Sequence, residues 1–361
     1  MRIIDESVLE DLALGAAVLG TGGGGDPYIG KLMARQAIRD YGPVELYTLD
    51  ELDDEDLVVP TAMMGAPTVM VEKMPNGDDI VNAFQSVGKY IGKPVKATMS
   101  IEAGGLNSVV PIYCAARLRV PMVDCDGMGR AFPELQMVTH TIHGISSTPF
   151  AMSDERGNTV LMETISNLWT ETFARSVTVN MGAMAMIALY AATAAELREA
   201  AIPGTITLAE EIGKVVRRAR LEEDNPVETI RAAVGGYLIF RGKIGDVERR
   251  TEAGFAKGDA MIDGIDEYAG QSLQLSFQNE HLAARIDGEF RVTVPDLLAV
   301  LDVDTGEPIT TEGLRYGFRV AIIAIRCDDK WRTPKGLEIV GPAYFGYETD
   351  YVPVEERYGE D

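Results

Sequence analysis

Between Val44 and Arg130 short apolar runs alternate with helical segments, and this alternation constrains the fold more than any other feature of the chain. VELYTL and LVVPTAMMGAP read as extended runs, Asp78 to Ile91 as an amphipathic helix, and PVKATMSIEAGG as a strand ending in Gly-Gly. Asn107 to Leu118 then reads as helix and PMVDCDGMG as a further strand ending in a glycine turn. Parallel strands need crossover connections, so the pattern predicts a parallel or mostly parallel sheet covered on both faces. Ligands in such sheets lie beyond the carboxyl ends of the strands. Here those ends carry MGAPTV, IEAGGLNS and VDCDGMGRAFPE.

Ahead of this region the apolar spacing from Asp5 to Leu19 predicts a helix that runs into GTGGGGDP, and a second helix is expected from Pro27 to about Asp40. The acidic run Asp50 to Asp56 reads as a solvated turn. After it come a hairpin from His143 to Glu163 around the turn DERGN, and helices near Ser166–Ser176, Ala183–Ala200 and Leu208–Leu221. The Ala-rich stretch Gly182 to Ala195 reads as a buried helix. From about Ala233 short alternating runs punctuated by Gly and Asp predict antiparallel sheet. With 361 residues the chain exceeds what one core usually serves. The expected layout is an α/β domain over 1–232, with a mostly parallel sheet, and a β-rich domain over 233–361.

Charge narrows the function. With 56 acidic against 33 basic residues the formal charge is −23, which repels a phosphate backbone and an anionic membrane and leaves a small molecule as the expected partner. MRIIDESVLEDL carries acids where a secretory signal needs an apolar core, and no apolar run reaches the roughly 18 residues of a membrane helix. Cys114, Cys125 and Cys327 are odd in number and widely spaced, which fits reduced thiols and a cytoplasmic setting, and no CxxC zinc signature is present.

Four consecutive glycines, Gly22 to Gly25, followed by Asp26 and Pro27, are costly to order unless close approach or positive φ requires them. Their N–H groups, at the start of the following helix, are candidate donors to an anion or a substrate carbonyl; a tight turn under another loop is the plainer reading. No Lys-Ser or Lys-Thr pair follows, and no strand precedes, so neither a Walker loop nor a dinucleotide fingerprint is present, and the sequence requires no cofactor.

Asp124, Asp126 and Glu134 place three carboxylates around Cys125 and Arg130 at one strand end. Nearby carboxylates can separate in pKa and supply a base for water, with Arg130 holding an anionic group; alternatively they cap the next helix. Cys125 reads as a packing thiol. His140 and His143 are two of three histidines in the chain. VTHTIHGI is β-branched and reads as strand or turn, which points the two rings to opposite faces, so a shared metal is disfavoured and one His is a candidate acid/base. Whether a metal is bound stays open. Glu102 sits at a strand end before Gly-Gly, where the fold places ligands, whereas helix capping alone accounts for Asn107. Asn279, Glu280 and His281 form a polar patch that either returns to the site from the second domain or simply ends a strand. Lys214, Arg217, Arg218 and Arg220 read as a solvated helix face.

At GTGGGGDP, MGAPTV, EAGGLNS and VDCDGMGRAFPELQM, and also at NMG (180–182), FQNE (277–280) and the tail GPAYFGYETDYVP, the chain resembles the S-methyl thiohydantoin desulfurase family. The resemblance covers nearly the whole chain. It implies an N-terminal α/β part, a C-terminal β-rich part, and chemistry on a five-membered cyclic imide or its S-methyl thio analogue. Water added at the sp² ring carbon releases methanethiol if a base, an acid and N–H donors are present. On the sequence the candidate base is Asp124, Asp126 or Glu134, the acid His140 or His143, and the donors Gly22, Gly23, Gly24 and Gly25, with Asp26, Glu102, Asn107, Arg130, Asn279 and Glu280 binding substrate. The family's association with hydantoinase and oxoprolinase proteins keeps two alternatives, an ATP-assisted ring opening and an accessory or metabolite-binding subunit with a hydantoinase-like partner. A homo-oligomer is compatible with either.

Overall fold

The computed structural model describes residues 1–65, 76–222, 225–252 and 254–359. A nine-stranded sheet forms the first unit. Its centre is four mutually parallel strands, Val44–Tyr47, Met122–Val123, Ala97–Ser100 and Leu57–Gly65, as the alternation predicts. Antiparallel strands extend it: Arg2–Ile4 joins one edge, and Met184–Ala188 pairs with Leu57–Gly65 and in turn with Phe150–Ser153. Phe150–Ser153 and Thr159–Met162 are the hairpin expected around DERGN.

Leu57–Gly65 is buried along almost its whole length because both faces are covered. Val59 and Met63 pack with Ile80, Ala83, Phe84 and Val87 of the helix Asp78–Ile91, whose buried residues recur at helical spacing. Ala62 and Met64 point the other way, into a core that also takes Ile187 and Ala174. Part of MGAPTV, residues 66–69, lies outside the described residues.

Two expectations are corrected. Within the segment Ala183–Ala200 read as helix, Met184–Ala188 is a strand and the helix is confined to Ala194–Ala200. Its Ala and Met content favours helix, but the slot between two strands, buried on both sides, decides the outcome. The segment around His140, read as extended, instead forms the short helix Thr139–Ile142.

The second unit is a seven-stranded antiparallel sheet running from Tyr237–Glu252 to Arg319–Ile325. Its strands alternate as their sequence implies. Leu298 and Val300 enter a core private to this sheet, while Leu297, Ala299 and Leu301 join the core that also holds Leu9, Leu12 and Ile206 of the first unit. The two sheets therefore share apolar contact. No helix among the described residues is long and apolar enough to cross a membrane.

Candidate active site

A cleft with about 70 Å³ of free volume lies at the carboxyl end of Leu57–Gly65, between the two sheets. Its polar lining is Glu102, Asn107, Glu134, Arg175, Asn279 and Glu280, and Gly24 and Gly25 close one side.

Glu102 is placed by the end of a strand ladder. The strand pair stops at Thr61 and Ser100, and beyond it Asn107 continues the pattern with its side-chain amide. Its Oδ1 accepts from the Met63 N–H at 2.7 Å, while its Nδ2 donates to the Met63 carbonyl at 3.1 Å and to Glu102 Oε1 at 2.6 Å. Ser100 Oγ donates to the carbonyls of Glu102 (2.6 Å) and Asn107 (2.7 Å), which fixes the turn between them. Glu102 is only 6% exposed. Burial, with the Asp126 carboxylate acting in the same direction, outweighs the Asn107 hydrogen bond and pushes the Glu102 carboxyl up to about 8. Asn107 is thus a buried orienting group rather than a helix cap.

Glu280 arrives from the other sheet. Asn279, at φ +58°, turns the chain, and the His281 N–H donates to the Thr21 carbonyl at 2.7 Å, stitching the strand start to the glycine loop. The glycines then have a specific cause. A methyl group on Gly23 would lie 2.1 Å from Glu280 Oε1, and one on Gly22 would lie 2.4 Å from the His281 ring. These two glycines leave room for side chains of the second sheet, while Gly24 and Gly25 reach the cleft. Glu280 Oε2 is buried without a hydrogen-bond partner among the described residues. Burial holds the Glu280 carboxyl well above its ordinary value, the Glu102 carboxylate adds to this, and Arg130 and the Gly24 N–H oppose it.

The cleft thus gathers Gly24, Gly25, Glu102, Asn107, Glu134, Asn279 and Glu280 from the residues singled out in the sequence. It does not gather the others. Asp26 caps the helix Pro27–Tyr41, accepting from the Tyr28 N–H at 2.8 Å. Asp124 does follow a parallel strand, but its carboxylate accepts from the N–H groups of Ile206 (3.0 Å) and Thr207 (3.1 Å) and from the Thr207 hydroxyl, at the start of the helix Thr205–Glu222. Asp126 Oδ2 accepts from the N–H groups of Ala103 (2.6 Å), Met128 (2.9 Å) and Gly129 (2.8 Å), and burial pushes its carboxyl up to about 7.

Arg130 is fully buried, and its guanidinium is engaged by the protein itself. It donates to the carbonyls of Ala131 (3.0 Å), Pro295 (3.1 Å), Asp296 (2.7 Å) and His281 (3.0 Å) and to Thr21 Oγ1 (2.9 Å), tying the glycine loop to the second sheet. His140 is fully buried beside Tyr190, ring centroids 5.4 Å apart, and burial pushes its pKa down to about 3, so it is a neutral core group. His143 lies on the exposed C-terminal end of the same short helix. Cys125 is a buried packing thiol with its pKa raised well above the ordinary value by burial.

Sequence reasoning did not single out Arg175, Met128 or Phe132, which also line the cleft. Arg175 sits on the helix Asn167–Asn180 with nothing local to mark it. Among the described residues no group of three His, Cys, Asp or Glu side chains is arranged to hold a metal ion.

Comparison with known families adds the context. Residues 7–164 match the family model described as S-Me-THD-like, N-terminal domain, and residues 165–354 match S-Me-THD-like, C-terminal domain. No curated protein matches the sequence. Among solved structures, a structural-genomics crystal structure of a protein from Chromobacterium violaceum superposes with a TM-score of 0.80 at 24% identity, covering 98% of this chain and 100% of that one. At that identity the likeness shows a shared fold.

Proposed function

The chain belongs to the S-Me-THD-like family, and from that premise we propose that it hydrolyses a small five-membered ring of the cyclic-imide type, most closely an S-methyl thiohydantoin, with release of methanethiol. The observation that carries this reading is the meeting of Glu102 and Glu280, two buried carboxyls from different sheets, each held above its ordinary pKa, in one small cleft. Groups tuned in this way suit proton transfer near neutral pH.

In this reading Glu102 is the base and Glu280 the acid. Glu102 ionises first, and its charge then keeps the proton on Glu280. Water forms a bond to the ring carbon bearing sulfur and gives one proton to Glu102, while Glu280 gives its proton to the adjacent ring nitrogen. The C–S bond then breaks with its electron pair on sulfur, which takes the proton from Glu102. The new hydroxyl becomes a carbonyl and returns its proton to Glu280, so both carboxyls end as they began. Asn107 orients Glu102, and the Gly24–Gly25 edge faces the ring. Residues 1–232 supply the base and 233–361 the acid. The three buried, unpaired cysteines fit a reducing, cytoplasmic setting.

The test is direct. The purified chain is incubated with S-methyl thiohydantoin, thiohydantoin and hydantoin, and thiol release and ring opening are followed. Methanethiol from the first ring supports the reading. No turnover of any ring, together with an altered rate of a co-encoded hydrolase, replaces it with the accessory-subunit reading.

A further inference from the structure

We propose that the exposed face of the helix Asn167–Asn180 is a two-fold docking surface for a second copy of this chain. The surface lies outside the cleft and is independent of the ring-hydrolase reading.

The helix has two unlike sides. Thr170, Glu171, Ala174 and Thr178 are buried, and Glu171 is paired with Arg175. The opposite side is apolar and open. Ile165, just before the helix, is 91% exposed, Trp169 46% and Phe173 49%, and Leu168 and Val179 are exposed as well. These positions recur every three or four residues and so share one face, and a contiguous exposed apolar face of this kind marks an interaction site. Trp169 and Phe173 lie against each other, ring centroids 5.3 Å apart, and form a single ridge.

The polar side chains of the same face are turned back onto the helix. Thr172 Oγ1 donates to the Leu168 carbonyl at 3.0 Å, Ser176 Oγ to the Thr172 carbonyl at 3.0 Å, and Asn180 Nδ2 to the Ser176 carbonyl at 2.9 Å. Burying such groups under a partner leaves no donor of theirs unmade, so the face can be covered at little polar cost.

Charge and shape both select a second copy as the occupant. Every exposed residue from Asn167 to Asn180 is uncharged, in a chain with 56 acidic and 33 basic residues. Two such copies repel over most of their surface, and here they can meet without bringing carboxylates together. Trp169 and Phe173 form a ridge at i and i+4, and Thr172 and Ser176 form a lower row beside it at the same spacing. Ridges of this spacing pack into grooves of the same spacing on an opposing helix, so the face is complementary to itself, as a two-fold contact requires. The face from Ile165 to Asn180 is centred on Thr172 and Phe173, and a two-fold axis there brings position 173 of both copies together. A standard interface takes about 800 Å² from each copy, and this helix supplies its apolar centre.

The experiment measures the mass of the full native chain by sedimentation over a dilution series, alongside its tryptophan emission. Trp331 is fully buried, so a change on dilution reports Trp169. The native chain is expected to be a dimer at micromolar concentration, with emission moving to the red as it dissociates. Phe173→Lys and Phe173→Glu, at a half-exposed position, are each expected to melt like the native chain and to weaken the dimer by at least about thirtyfold. An equimolar mixture of the two is expected to recover it, because the opposite charges then meet across the axis. A native chain that stays monomeric overturns the two-fold docking, whether Trp169 emission reads as exposed, which leaves the face to a different protein, or as buried. A dimer retained by both variants, or variants that do not pair on mixing, overturns it as well. Methanethiol release is measured separately, so failure of the docking leaves the ring-hydrolase reading standing.

Discussion

Glu102 and Glu280 face one cleft from two different sheets, and the ionised form of Glu102 raises the proton affinity of Glu280. Neither oxygen pair is solvated enough to ionise freely, and the attraction from Arg130 reaches Glu280 without a direct salt bridge among the described contacts.

Glu102→Gln keeps the side-chain shape and the acceptor for Asn107 but cannot take a proton. Turnover should fall by roughly a hundredfold to ten-thousandfold. Stability should move the other way in alkali. The Glu102 carboxyl rises from its ordinary 4.5 to about 8 on folding, so its contribution to stability is complete below about 4.5 and is lost as pH rises through about 8. Calorimetric melting at pH near 5 and near 9 checks this. The variant should melt at or above the native protein at the higher pH, and its melting should depend less on pH. A variant less stable than the native protein only at the higher pH contradicts the burial argument.

Gly23→Ala places a methyl 2.1 Å from Glu280 Oε1, and Glu280 must move. The expected loss is about 1–3 kcal/mol of stability, as for overpacking elsewhere, accompanied by a fall in turnover. Urea unfolding and steady-state rates measure both; an active variant of native stability shows that the close approach is not needed.

Asp124→Ala should weaken the start of the helix Thr205–Glu222, because Ile206 and Thr207 lose their acceptor. Loss of a cap costs about 0.5–2 kcal/mol. Turnover of the folded variant should stay close to native. A large rate loss at unchanged stability, read from the same unfolding and kinetic measurements, would return Asp124 to the chemistry.

His143→Ala should leave both rate and stability close to native, since the ring is on the surface. His140→Ala removes a buried ring packed on Tyr190 and should lower the melting temperature. A rate loss confined to His143→Ala, with melting unchanged, contradicts this placement.

The sequence carried the sheet and one side of the site better than the site as a whole. Strand–helix alternation marked the strand ends, and Glu102 stood at one of them before Gly-Gly. Asp124 stood at the end of a neighbouring parallel strand with the same local signature. What separates the two is the helix beginning at Thr205, far along the chain, which covers Asp124 and leaves Glu102 at the cleft. The four glycines were legible as a constraint, but the cause at Gly22 and Gly23, the His281 and Glu280 side chains, comes from the other sheet. Met184–Ala188 reads as helix from its Ala and Met residues because only its place between two strands makes it extended. Asn107 looked like a cap for the same reason: its partners at Met63 are brought near by folding, not by sequence.

The most direct test of the paired-carboxyl account is the pH dependence of methanethiol release from S-methyl thiohydantoin, measured for the native chain and for Glu102→Gln. The account predicts that the native rate climbs as pH rises toward about 8, where Glu102 becomes ionised while Glu280 keeps its proton. It also predicts that this climb disappears along with most of the rate in the variant. A native rate that is flat across that range, or a Glu102→Gln chain that keeps both the rate and the profile, contradicts it.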